Sequence, residues 1–226
     1  MKRFYGLLTA VAVVAGVLIW KGSQAGSTET PATAGPPVAV TAADSAFQGY
    51  TLGSDSAPVE IVEYADLQCP HCGEFAVVQF PTIREQLINT GRLRWRFRDF
   101  PLNFPWSRTA ALAGQCAGEQ GKFWEMTDVM YQAQSDWGRS TKNPSGRFRD
   151  MARQVGLDGG RFDACLDSHR YDGRLEASKA QGMALGVGGT PTFFVNGRLK
   201  ADNNISSDRF KQIVDSAIAA SPPPRR

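Results

Sequence analysis

The sequence predicts an α/β domain in which a helical block interrupts a sheet. Three observations carry this. A β-branched strand pattern runs directly into Cys69-Pro70-His71-Cys72 at the head of an amphipathic run. Helical periodicity without strand signals then occupies residues from about 107 to 186. Sheet character finally returns at Thr192-Phe193-Phe194-Val195, before a hairpin turn.

Residues 1–21 open with Met1-Lys2-Arg3 and continue as an apolar run from Phe4 to Trp20, broken only by Gly6, Thr9 and Gly16. This predicts a signal peptide or a transmembrane anchor. Ser23-Gln24-Ala25 offers a small-x-small cleavage site, whereas Trp20-Lys21 suits an interfacial anchor with membrane contact through residues 4–20. In either case the rest of the chain is delivered to the periplasm or the extracytoplasmic face of the membrane, where disulfides persist. Residues 22–46 are Gly, Ser, Thr, Ala and Pro with few large apolar side chains, so they are read as a flexible linker.

The domain is expected over residues 47–221. Val59-Glu60-Ile61-Val62-Glu63-Tyr64 follows Pro58 and reads as a strand. After Cys72, the residues Phe75, Val78, Ile83 and Leu87 follow approximately helical spacing. Pro81 should kink that helix and Gly91 should cap it. Leu93-Arg94-Trp95-Arg96-Phe97-Arg98 alternates apolar and basic residues as a second strand, and a parallel β-helix-β unit is the economical assembly. The helical insert, about 107–186, comprises runs at 110–116, 123–130, 148–155, 162–166 and 171–185, with the polar stretch 134–146 read as a loop. Asn196-Gly197 is a hairpin turn signal. Phe210, Ile213, Val214, Ala217 and Ile218 mark a last amphipathic helix, capped by Ser206 or Ser207, before a disordered tail at 222–226.

A chain of 226 residues with 42% hydrophobic content can bury one sizeable core. Its formal net charge of +3 is contributed entirely by Lys2, Arg3 and Lys21. The remainder balances, so no nucleic-acid footprint is expected.

Two cysteines separated by two residues at a helix start can close a small disulfide whose first sulfur is activated by the helix N-terminus. The competing reading is half of a zinc site. Zinc usually takes four ligands, and the chain offers only four Cys and two His, with no second Cys-x-x-Cys, so no metal is expected. Cys116 and Cys165 then have two readings, a structural disulfide in an oxidising compartment or two buried free thiols. As a disulfide, their loop of about 50 residues would contribute ~3–4 kcal/mol.

Strand, Cys-x-x-Cys at a helix start, helical insertion, then Gly189-Thr190-Pro191 before a hairpin: this order resembles the thioredoxin fold of the DsbA-like thiol oxidoreductases over roughly residues 48–220. The resemblance implies that Pro191 is cis, lies against the cysteines and, with Thr190, binds substrate backbone as an added strand. Cys69 is then the exposed sulfur that forms the mixed disulfide and Cys72 the more buried resolving partner. His71 would stabilise the Cys69 thiolate, or serve as a plain turn residue. Glu63 matches a buried acid of the family that could exchange protons with Cys72, although strand alternation alone also allows it to face solvent. Asp66 is read as a turn or capping residue.

The implied activity is oxidation of cysteines in exported proteins, through the Cys69–Cys72 disulfide and without an organic cofactor. A quinone-linked thiol oxidase in the membrane would regenerate the disulfide, and the chain itself is expected to be monomeric. The rivals are a disulfide isomerase or reductase on the same fold, and a non-catalytic peptide-binding or chaperone domain. Family isomerases commonly carry an N-terminal dimerisation domain, for which residues 22–46 are too short.

Overall fold

The computed structural model describes residues 38–200 and 205–220. The expected leader or anchor at 1–21, the first part of the linker and the tail at 222–226 lie outside the described residues. Among the described residues no helix is long and apolar enough to cross a membrane.

The linker reading needs one correction. Residues 42–46, assigned to it, form a helical turn, α1 (Ala42–Ala46), closed by a reciprocal capping box between Thr41 and Asp44. Composition alone argued for a tether here. The stretch is ordered because it docks on a later helix, where Gly173 leaves room for the Ala39 carbonyl and the Asp44 carboxylate.

Five strands form one sheet in the order β1-β3-β2-β4-β5. β2 (Val59–Ala65) and β3 (Leu93–Asp99) pair in parallel, as the β-helix-β reading requires. β4 (Thr192–Val195) lies antiparallel to β2 on its other side, and β5 (Arg198–Lys200) returns after the Asn196-Gly197 turn, where both residues have positive φ. The sequence reading missed β1 (Tyr50–Leu52), three residues pairing antiparallel with β3. Its anchor is tertiary: Tyr50 stacks on Phe123 with ring centroids 3.8 Å apart, and Trp124 Nε1 donates to the Thr51 carbonyl.

The helix after Cys69 is not uniform. α2 (Pro70–Glu74) runs into a π-helical turn at Phe75–Gln79, then α3 (Phe80–Ile83) and a second π-helical turn at Arg84–Ile88. Pro81 has no N–H to offer the preceding turn, and the Phe80 N–H reaches back to the Phe75 carbonyl instead. The irregularity absorbs the proline that was expected to kink the helix.

The insert holds α4 (Ser107–Glu119), α5 (Phe123–Gln132), α6 (Gln134–Trp137), α7 (Ser145–Gln154), α8 (Gly159–Ser168) and α9 (Asp172–Ala184). α6 is one turn inside the stretch read as loop, and its Trp137 is fully buried against Phe148. Cys116 on α4 and Cys165 on α8 are joined by a disulfide. α10 (Ser207–Ala219) is capped by Ser206 and packs Phe210 and Val214 into the sheet-side core.

Two apolar clusters meet at the cysteine motif. One belongs to the insert and includes Cys69 and Cys72. The other lies between the sheet, the α2–α3 segment and α10, and is dominated by aromatic rings. Trp95 is its centre, within 6 Å of the ring centroids of Phe75, Phe80, Phe193 and Phe210.

Candidate active site

β2 ends at Ala65 and delivers the chain to Cys69, which stands at the N-cap of α2 with extended backbone, while Pro70 occupies the first turn, where its missing N–H costs nothing. Cys69 and Cys72 are both free thiols and both buried, which corrects the expectation of an exposed Cys69: the Thr190-Pro191 loop lies over its sulfur. The bond between Thr190 and Pro191 is cis, and the Thr190 carbonyl accepts from the Cys69 thiol at 3.4 Å. The fold thus brings together the two signals that lie far apart in the chain.

The two sulfurs differ sharply. A hydrogen bond from the Cys72 thiol is the main reason the Cys69 thiol is lowered from 9.0 to about 5. Desolvation opposes this, while Thr190 and the backbone N–H groups of Cys72 and His71 reinforce it. The Thr190 hydroxyl is near enough to favour the thiolate, but it is buried and makes no hydrogen bond of normal geometry in this dithiol form. Burial pushes Cys72 well above 9.0, and the Cys69 and Glu63 charges push it further. One thiol is therefore ionised at neutral pH and its neighbour is not.

Glu63 lies on the face of β2 shared by Val59 and Ile61, pointing into the core and not to solvent. Its Oε2 accepts from Trp95 Nε1 at 3.0 Å. That single neutral donor does not offset desolvation among aromatic rings, so the carboxyl is raised from 4.5 to about 8. At neutral pH it is mainly a protonated acid beside a buried thiol. His71 is exposed on the first turn, and its contribution in the structure is its backbone N–H rather than its ring.

Asp66 is a turn residue, as read, and also the hub of a buried network. Its Oδ1 accepts from the Gln68 N–H, and its Oδ2 from the Leu102 N–H and the Ser107 hydroxyl. Gln68 accepts from the Trp106 N–H and donates to the Gly138 carbonyl. Gln134 Nε2 donates to the carbonyls of Leu67 at 2.8 Å and Cys69 at 3.0 Å.

Gln68, Trp95 and Gln134 were not singled out from the sequence, and neither was Tyr131, whose buried hydroxyl has no hydrogen-bond partner and whose ionisation is suppressed by burial and by the charges of Cys72 and Glu63. Position next to Cys69 was a signal for Gln68. Nothing local marked Gln134. Among the described residues, no three His, Cys, Asp or Glu side chains are grouped to hold a metal ion.

An ionised cysteine one helical turn before a buried one, with a cis-proline loop against it, can do one kind of chemistry well: exchange a disulfide with another protein's thiols. Fold and site together define a thioredoxin-like domain with a dithiol site suited to such exchange. The model of the thioredoxin family matches residues 45–216, and the chain belongs to that family.

Individual relatives include a disulfide-bond formation protein, a solved BdbD structure and a much longer antiporter. The chain is 28% identical over 171 residues to "Probable disulfide bond formation protein D" of Bacillus anthracis, a match covering 74% of this chain and 77% of the relative. Oxidised BdbD from Bacillus subtilis superposes with a TM-score of 0.68 at 25% identity, over 75% of this chain and 92% of BdbD. Na(+)/H(+) antiporter NhaA 3 of Salinispora tropica is 38% identical over 151 residues, covering 66% of this chain, which spans only 22% of the antiporter's length.

Proposed function

We propose that this protein is a dithiol oxidase acting outside the cytoplasm on newly exported proteins, held there by, or released from, the segment at 1–21. The observation that carries the direction of the reaction is the Cys69 thiol at about 5 beside Cys72, well above 9.0. A substrate thiolate attacks Cys69 of the Cys69–Cys72 disulfide and forms a mixed disulfide, and Cys72 leaves as a thiolate. Glu63, a protonated neighbour, supplies the proton that Cys72 takes up. A second substrate thiolate attacks the substrate sulfur of the mixed disulfide and expels Cys69, a good leaving group because its thiolate is stabilised. Two electrons pass from substrate to protein, and a quinone-linked membrane thiol oxidase removes them. Thr190 and Pro191 give the substrate backbone a strand edge to lie against. No organic cofactor takes part.

The sign of the redox bias follows from linkage. A thiol lowered from 9.0 to about 5 stabilises the folded dithiol form fully above pH 9, partly at pH 7, and not at all once the pH falls below about 5. Allowing for screening at the mouth of the site, this is on the order of 2 kcal/mol at pH 7, or roughly 40 mV toward an oxidant.

The test is equilibration of the protein with glutathione buffers, with Cys69→Ser as the inactive control. A potential above roughly −200 mV is expected. A value as low as that of cytosolic reductants would remove the oxidase reading. Urea unfolding should show the dithiol form more stable than the disulfide form at pH 7, with the gap closing as the pH is lowered through about 5. A gap independent of pH would contradict the linkage.

A further inference from the structure

Cys69 is held from two sides. On one side stand the groups already described, the Cys72 thiol and the Thr190 carbonyl. On the other is a side chain from the insert. α6 carries Gln134 over the first turn of α2, where its amide nitrogen donates to the carbonyls of Leu67 and Cys69, the residues flanking Gln68. The Cys69 carbonyl also accepts from the Gly73 N–H at 3.0 Å, the first hydrogen bond of the helix that begins at Pro70.

The fit extends to Gly73. A Cβ placed there would meet Gln134 Oε1 at 2.3 Å and Cδ at 2.8 Å, so the motif is followed by glycine where the glutamine lies across it. Gly73 has no positive φ that would otherwise require glycine. The nearby Gln68 is a useful contrast, because its side-chain amide bonds to Trp106 and Gly138 instead of to the Leu67 and Cys69 carbonyls.

We propose that Gln134 is a positioning residue for Cys69: by binding the carbonyls on either side of Gln68 it fixes the first turn of α2, so that the N–H groups of His71 and Cys72 stay on the Cys69 sulfur. The insert then tunes the reactive cysteine through its backbone. The inference rests on Cys69 being the exchanging thiol. Without the amide, the peptide units around Cys69 gain freedom, the helix-start N–H groups spend less time on the sulfur, and the thiolate loses part of its stabilisation. A hydrogen bond of this kind is worth about 0.5–1.5 kcal/mol, which is roughly a two- to tenfold change in an equilibrium constant.

Gln134→Met keeps the length of the side chain and removes both donors. Gly73→Ala leaves Gln134 intact but displaces its tip, the flexible end of a side chain. In the full-length protein, thiolate absorbance near 240 nm titrated against pH reads Cys69 directly. Equilibration with glutathione reads the potential. Both variants are expected to raise the Cys69 titration midpoint by up to about one pH unit, and to weaken the protein as an oxidant at pH 7 by roughly two- to tenfold. Their effects should not add in the double variant, since each breaks the same contact.

Gln68→Met loses stability from the same region but should leave the midpoint unchanged. If Gln134→Met and Gly73→Ala unfold more easily but titrate like the parent, Gln134 is structural only and the proposal is overturned. The same holds if Gln68→Met shifts the midpoint equally. If the parent protein itself shows no thiol titrating below neutrality, the oxidase reading fails and takes this inference with it, an outcome distinct from the others.

Discussion

Glu63→Gln is expected to make the protein more stable at pH 8.5 and no more stable at pH 4. In the unfolded chain the carboxyl ionises near 4.5, and in the fold near 8. Between those values the folded state holds a proton that the unfolded state has lost, so stability declines as the pH rises through this window and levels off above about 8. The distance between the two corresponds to roughly 5 kcal/mol at most. A glutamine amide in the same pocket keeps the Trp95 hydrogen bond but leaves its own N–H groups short of acceptors, costing about 1–2 kcal/mol. A net gain of about 3 kcal/mol at pH 8.5 remains.

The measurement is urea unfolding of the disulfide form, in which no active-site thiol titrates. Equal stabilities at pH 8.5 would mean that Glu63 does not suffer the desolvation described. In the proposed mechanism the same variant should slow disulfide exchange, since Glu63 is there the proton donor to Cys72. Trp95→Phe tests the partner: removing the indole N–H takes away the one group that favours the carboxylate, so the decline in stability should extend above pH 8.

Cys116→Ala with Cys165→Ala should lower stability by about 4 kcal/mol. The cross-link spans a sequence separation of 49, and opening it returns the loop-closure entropy to the unfolded chain. Both sulfurs are buried between α4 and α8, so two small cavities add to the loss. Thermal unfolding of the double variant, with the active-site pair held in one redox state, gives the number. A change below 1 kcal/mol would show that the insert is held by packing alone. Because the bond lies inside the insert, exchange by Cys69 should persist wherever the variant remains folded.

Much of the fold was legible because its signals are local. Alternation in β2 and β3, the Asn196-Gly197 turn and the periodicity of α4, α5 and α7 to α10 depend on neighbours in the chain, and the structure has them within a few residues of their expected places. β1 and α6 escaped because three or four residues carry too little periodicity. Both are held by distant partners, β1 by Phe123 and β3, α6 by the burial of Trp137 against Phe148.

The site divides in the same way. Cys69, Cys72 and the Thr190-Pro191 pair stand in recognisable local patterns. The face of β2 on which Glu63 falls depends on register, which places Trp95 beside it. Gln134 belongs to a stretch with no motif, and only the packing of α6 over α2 shows what its amide reaches.

The connectivity of the cysteines also bears on how the protein is made. Four thiols allow three pairings. The fold uses Cys116 with Cys165 and leaves Cys69 beside Cys72, so each cysteine's neighbour in space is its neighbour in order along the chain. A polypeptide emerging N-terminus first presents Cys69 and Cys72 together, then Cys116, and Cys165 last. Oxidation that simply follows the order of appearance therefore arrives at the native arrangement. Consecutive pairing in this chain leaves no non-native bond to be reshuffled.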